Sequence, residues 1–259
     1  MMPNLVESNS ANRGVQQPPR PTTFEISGIS KSYGTTQAVA SVTFSGSSAE
    51  SIALTGGNGS GKSTLLKVLV GSLLPDSGSF VFNGVTLGDG KPRRAKDAGI
   101  ELVFQDSGHC PIASVLENLF LGRELHGAFG FVNLRQMRNQ AVEIIQRLGL
   151  PLHDLDAQVK DLSGGQQKAV AICRAVLSKP RLLLLDEATA NLGVHEQEMA
   201  MNAFAQLKTD GIGFIFCTHS PDEVLAFADR ILVMRYGKLS EDRPVKGLTR
   251  PELAVMMSG

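Results

Sequence analysis

Tryptophan is absent from the 259-residue chain, tyrosine occurs twice, and aromatic residues together make up 5%. So thin a supply argues against a stacking surface for single-stranded nucleic acid and against the aromatic belt of a membrane-interface protein. Neither sign of charge dominates: 25 Lys+Arg stand against 25 Asp+Glu, for a net charge of zero. The basic excess that marks a nucleic-acid or anionic-membrane binder is missing. Cysteine is scarce, and Cys110, Cys173 and Cys217 are far apart and odd in number. With no CxxC and no Cys/His ligand spacing, they read as free thiols in a reducing cytosol. No apolar run reaches the length of a membrane span, and the N-terminus lacks the apolar centre of a signal peptide.

What is present is enough chain, 42% of it apolar, to bury a core without disulfide or metal staples. Residues 1–23 are rich in Asn, Ser, Gln, Arg and Pro and read as a flexible tail, because such a composition cannot bury enough surface to order itself. From residue 24 onward, short strand-like runs appear at 24–26, 42–44, 52–54 and 80–82, the last followed by an Asn83-Gly84 turn. Helices are expected at 62–74 and 137–148. In the second, Ala141, Val142, Ile144, Ile145 and Leu148 form an apolar stripe at helical spacing. The runs 182–185 and 214–217 are short, apolar and bounded by polar residues, as buried parallel strands are. Strands alternating with helices, and no internal repeat, predict one α/β domain over 24–259.

Gly56-Gly57-Asn58-Gly59-Ser60-Gly61-Lys62-Ser63 fits the pattern G-x-x-x-x-G-K-[ST]. Composition alone yields roughly one such match per hundred chains of this size, so the context decides. The string follows an expected strand and opens an expected helix, as a phosphate-cradling loop must. Glycines let backbone N–H groups approach phosphate oxygens, and the helix start adds partial positive charge. Lys62 would reach the β- and γ-phosphates, and the Ser63 hydroxyl would ligate Mg²⁺. Farther on, the apolar run 182–185 ends in Asp186-Glu187. The carboxyl end of a parallel strand is where open α/β sheets bind ligands. There Asp186 would hold Mg²⁺ through water, and Glu187 would polarise an attacking water. Leu162-Ser163-Gly164-Gly165-Gln166 precedes a helix expected over 167–177 and makes a second anion-capable helix start. A P-loop NTPase site uses one such start. The second suggests a different nucleotide, one held by a partner subunit.

These strings together resemble the nucleotide-binding subunit of ATP-binding cassette (ABC) transporters, over nearly the whole chain from about residue 24. The resemblance implies a P-loop α/β core with a mixed sheet, an N-terminal antiparallel β subdomain, and a helical subdomain inserted at about 105–161. It implies that Tyr33 stacks on adenine and that Gly56 to Thr64, including Asn58, Gly59, Gly61, Lys62, Ser63 and Thr64, form the Walker A loop. Gln105 matches the Q-loop glutamine, which contacts Mg²⁺ and senses a membrane partner. Ser163, Gly165 and Gln166 match the signature, Asp186 and Glu187 the Walker B end and catalytic glutamate, and His219 the switch histidine. The other histidines, His109, His126, His153 and His195, read as surface or packing residues. The basic run 91–96, followed by Asp97, reads as a solvated surface stretch.

Residues 98–101, 117–124 and 190–194 are further similar to single-cassette ATPases of fructose- or ribose-type sugar importers. Gly193 departs from the Asp that usually ends the D-loop in this family, which bears on coupling between sites. The resemblance implies an ATPase subunit at the cytoplasmic face of the membrane, energising import of a small solute such as a monosaccharide. ATP and Mg²⁺ would be its cofactors. A separate integral-membrane permease, a second copy of the chain and, indirectly, a solute-binding protein would be its partners, with no nucleic acid among them. Two other readings stay open. One is a non-transport ABC protein of translation or DNA repair, though the chain lacks the second cassette or coiled-coil insertion those usually carry. The other is a regulatory nucleotide-binding module with weak hydrolysis. A GTPase is disfavoured by the absence of an Asn-Lys-x-Asp string.

Overall fold

A computed structural model describes residues 22–104 and 108–258. Residues 1–21 of the tail expected over 1–23, and Gln105, lie outside the described residues. β1 (Thr23–Tyr33) and β2 (Thr36–Ser47) form a hairpin across Gly34-Thr35, and β3 (Ser51–Thr55) runs into α1 (Lys62–Leu69). β4 (Ser77–Phe82) and β5 (Val85–Leu87) meet at Asn83-Gly84. Both turn residues have positive φ, 50° and 77°, the mirror-image turn whose twist suits a two-residue hairpin. α2 (Pro92–Asp97) and β6 (Ile100–Val103) are followed by α3 (Val115–Phe120), α4 (Leu134–Leu148) and α5 (Gly164–Leu177). The chain closes with β7 (Leu182–Asp186), α6 (Val194–Thr209), β8 (Gly213–Cys217), α7 (Pro221–Phe227), β9 (Arg230–Arg235), β10 (Lys238–Pro244) and α8 (Arg250–Met257).

Two sheets result. One is antiparallel, in the order β2-β1-β4-β5; the other has six strands, β10-β9-β3-β8-β7-β6. In the second, β9, β3, β8, β7 and β6 run parallel and β10 pairs antiparallel on the edge, so the sheet is mixed as expected. The parallel strands are buried on both faces. Successive side chains alternate between two cores, as the two-residue period of a strand requires. Ile52 and Leu54, Leu182 and Leu184, and Ile215 face the antiparallel sheet and α1. Ala53, Leu183 and Leu185, and Phe214 and Phe216 face the layer that includes α4, α5 and α6.

Local signals set the element ends. α4 starts at Asn133, whose side chain accepts the Gln136 N–H at 3.0 Å, and stops at Gly149 in the left-handed region. It therefore begins three residues before the expected start. Four of the five stripe residues are buried, while Val142 is 39% exposed, one step off the buried face. α1 ends at Leu69 rather than near 74, because Gly71 adopts a φ of 73° and leaves the helical region. α5 begins three residues earlier than expected, on the Ser163 cap itself. β1 takes in Thr23 and extends to Tyr33, well beyond the run of three expected there.

Candidate nucleotide-binding site

Register brings the site together. Leu54 of β3 pairs with Cys217 of β8, and Asp186 of β7 pairs with the same Cys217. Three parallel strands thus end level, and the segments leaving their ends lie side by side: the loop from Gly56, the pair Asp186-Glu187, and Thr218-His219.

The loop from Gly56 to Gly61 is shaped by what surrounds it. A Cβ on Gly56 would stand 2.1 Å from the Met234 carbonyl oxygen, and one on Gly61 2.1 Å from that of Ala38. Gly61, with φ 104°, is the N-cap of α1 and no side chain caps that helix start. The first N–H groups of α1 are thus left for an anion. Lys62 is buried, and its Nζ donates to the carbonyls of Gly56 (2.9 Å) and Gly57 (3.1 Å). Ser60 Oγ is buried within the same loop with no hydrogen-bond partner. A cavity of about 540 Å³ opens here, lined by Tyr33, Asn58, Gly59, Lys62, Thr64 and Glu187 among others. Tyr33, half exposed at the end of β1, forms its aromatic wall.

The acidic side is equally tight. Ser63 Oγ donates to Asp186 Oδ1 at 2.9 Å. Asp186 is buried, and burial raises its pKa above the ordinary 3.8; the Ser63 hydroxyl opposes this, and the charge of Glu187 adds to it. A hydroxyl and a carboxylate are hard oxygen donors, the kind that holds Mg²⁺ while substrate phosphates and water complete its shell. Among the described residues no cluster of three or more His, Cys, Asp or Glu gathers, and the Ser63–Asp186 pair supplies two oxygen donors side by side. Its chemistry fits that ion. Glu187 sits at a φ of 50°, left-handed backbone that a non-glycine residue adopts only under constraint. Its Oε1 lies 3.2 Å from His219 Nε2. With the ring proton on Nε2, the imidazole donates to the carboxylate and holds it in place.

The second helix start is elsewhere. Ser163 accepts the Gln166 N–H at 3.2 Å, and Gln166 Oε1 takes the Ser163 N–H at 3.0 Å, a reciprocal box at the head of α5. Gln166 also donates to the Pro151 carbonyl at 3.2 Å. Ser163, Gly165 and Gln166 do not line the cavity that holds Lys62 and Glu187. The structure therefore gathers Tyr33, Asn58, Gly59, Lys62, Ser63, Thr64, Asp186, Glu187 and His219 in one place, and leaves the Ser163 group outside it.

Sequence reasoning passed over Thr218, Glu223 and Gln197. The Thr218 hydroxyl donates to buried Glu223, whose other oxygen accepts from Gln197 Nε2 at 2.6 Å. The signal was visible as Ser220-Pro221-Asp222-Glu223, a helix-start pattern. Ser220 does cap α7, accepting the Glu223 N–H at 3.3 Å, but the Glu223 carboxylate is used elsewhere. Two of the three cysteines are sealed in the core. Burial pushes the Cys173 thiol up to about 12 and that of Cys217 well above its ordinary value.

Known proteins fit this arrangement. The chain is 39% identical over 231 residues to the ribose import ATP-binding protein RbsA of Hahella chejuensis, covering 89% of this chain and 46% of that protein. It thus spans about half the length of that relative. It is 36% identical over 216 residues to the xylose/arabinose import ATP-binding protein XylG of Sulfolobus acidocaldarius, covering 83% and 86% of the two chains. A nucleotide-free ATP-binding cassette from an ABC transporter, solved as a crystal structure, superposes with a TM-score of 0.77 at 28% identity over 90% of this chain and 95% of that one. The ABC transporter family model matches residues 39–190. That match, over more than half of the chain and across the loop of Gly56, the helix start at Ser163 and the Asp186-Glu187 strand end, shows that the chain belongs to the ABC transporter family.

Proposed function

We propose that this chain is the ATP-binding and ATP-hydrolysing subunit of a monosaccharide importer. It works with a separate integral-membrane permease, with a second copy of itself and, indirectly, with a solute-binding protein. The observation that carries this reading is the pair of sugar-import relatives at 39% and 36% identity, joined to a site whose parts suit ATP. Among the described residues no helix is long and apolar enough to cross a membrane. The proposed place is at the cytoplasmic face, docked on the permease through the helical subdomain around 105–161. The sugar is selected by the binding protein and permease, so its identity is not written in this chain.

Tyr33 stacks on adenine, and the backbone of Gly56, Asn58, Gly59 and Gly61 surrounds the phosphates, with Thr64 in the first turn of α1 beside them. Lys62 trades its two loop carbonyls for β- and γ-phosphate oxygens and stabilises their charge. Ser63 and Asp186, with Gln105, would hold Mg²⁺, which would neutralise part of the charge on the transferring phosphoryl group. Glu187 orients an attacking water and accepts its proton, and His219 keeps that carboxylate in position. Ser163, Gly165 and Gln166 act on the nucleotide of the second copy, since they stand outside the cavity of their own chain. Two-fold symmetry then gives two composite sites.

Replacing Glu187 by Gln keeps the shape and removes the base. Turnover should fall by about 10²- to 10⁴-fold, while ATP binding persists and ATP converts the chain to a dimer on size exclusion. Unchanged hydrolysis in this variant contradicts the assigned role. Co-purification with a ribosome or DNA instead of a permease contradicts the transport reading.

A further inference from the structure

α6 begins beside both halves of the site. Its N-cap, Gly193, has no side chain, and the cap comes from the third residue of the helix: Glu196 Oε2 accepts the Gly193 N–H at 2.9 Å. The same carboxyl group is pressed onto the head of α5. A Cβ on Gly165 would stand 2.3 Å from Glu196 Oε1 and 2.4 Å from its Cδ, so Glu196 fills the space that a side chain at 165 would take. The next residue, Gln197, points the other way. Its Nε2 donates at 2.6 Å to Glu223 Oε1, and Glu223 Oε2 takes the Thr218 hydroxyl. That hydroxyl in turn accepts the Ser220 N–H at 3.0 Å, so both neighbours of His219 are tied to it. Thr218 and Glu223 are buried. The Gln197–Glu223 contact lies on the wall of a cavity of about 360 Å³ that also borders Glu187, Asn191 and His219.

We propose that Glu196, Gln197 and Glu223 form a brace that links the Gly165 helix start to the His219 strand end within one chain. They are positioning residues: none touches nucleotide, and each acts through a group that does. The inference rests on the composite-dimer reading. In that arrangement Gly165 serves the partner's nucleotide and His219 serves the chain's own, so the brace connects the two ATP sites of the dimer. Seating of one nucleotide against the head of α5 moves Glu196. The first turn of α6 carries Gln197 with it, and Glu223 passes the shift to Thr218 and His219. The Thr218–Glu223 end of the chain is buried, and there the loss of one member leaves the other unsatisfied.

The contact can be broken and rebuilt. Gln197→Glu sets two carboxylates against each other. The reciprocal double variant, Gln197→Glu with Glu223→Gln, restores one donor and one acceptor across the same gap and leaves an oxygen for the Thr218 hydroxyl. The expected result for Gln197→Glu is a kcat about 10-fold lower, with the KM for ATP unchanged and cooperativity between sites reduced. The double variant should recover both kcat and cooperativity. A brace that merely held the fold together would lower the melting temperature of the single variant in step with its kcat, so both are measured. Each variant is also placed on Glu187→Gln and tested for ATP-driven dimers. If Glu187→Gln alone dimerises and Gln197→Glu leaves kcat and cooperativity untouched, or the double variant fails to recover them, the brace is wrong and the composite dimer stands. If Glu187→Gln alone stays monomeric with ATP, the composite reading falls and takes the link between sites with it.

Discussion

The two helix starts that suit phosphate are built on opposite plans. α1 begins at Gly61 with no side-chain cap, a buried lysine and a loop in which Gly56 is pressed against Met234 and Gly61 against Ala38. α5 begins at Ser163 with its cap complete, each partner of the Ser163–Gln166 pair taking the other's N–H. The first is unfinished as a helix end and needs an outside anion to satisfy it. The second is finished as a helix end and offers an exposed hydroxyl at its tip. The shape of one is enforced by backbone carbonyls at Gly56 and Gly61, whereas the other leans on the Glu196 carboxylate. Binding strength should therefore reside at α1, and timing at α5.

The largest effect is expected where that shape is most rigid. In Gly61→Ala the new Cβ meets the backbone carbonyl of Ala38, which cannot swing away, and φ 104° is closed to alanine. Loss of more than about 3 kcal/mol of stability, together with loss of ATP binding, should be seen by denaturant unfolding and by nucleotide titration. A variant that folds and binds ATP normally would erase the contrast between the two helix starts.

A smaller effect, of opposite sign, is expected at Asp186. Burial raises its pKa, so the folded chain holds that proton more tightly than the unfolded chain. The cost of the ionised carboxylate is absent below the ordinary carboxylate range. It grows as pH rises through the folded-state pKa and is fully present at neutral pH. Asp186→Asn should therefore raise the melting temperature at pH 7, without nucleotide or divalent metal, and change it little near pH 4. Turnover should be lost at the same time. The site gives up stability for chemistry, and a melting temperature lowered at pH 7 would show that the Ser63–Asp186 bond outweighs the burial.

Much of this was legible in the chain because the signals are local. The Gly56–Ser63 string, the run ending in Asp186-Glu187 and the Ser163 cap each lie within a few residues, and each carries its own strand or helix context. Where a single residue overrides a trend, the reading drifted: Gly71 cuts α1 short, and Val142 falls one step outside the buried stripe. Tertiary hydrogen bonds were invisible. Ser220 and Glu223 look like a helix cap from spacing alone, and only the fold shows the Glu223 carboxylate turned toward Thr218 and Gln197. Gly193 stood out as a departure in the D-loop, and its N–H proves to be served by Glu196 from within α6.

The central claim is that α1 of one copy and α5 of another complete each site, and mixing two dead variants tests it directly. Lys62→Ala should fail to bind ATP, and Ser163→Ala should bind ATP without turning it over. Mixed and allowed to exchange, they form heterodimers in which one site has both an intact Lys62 and an intact Ser163. Turnover should return, to at most about a quarter of the unmodified level, since half the dimers are mixed and each has one good site. If the mixture stays as inactive as its parts while heterodimers are present, the two helix starts act within one chain and the composite site is wrong.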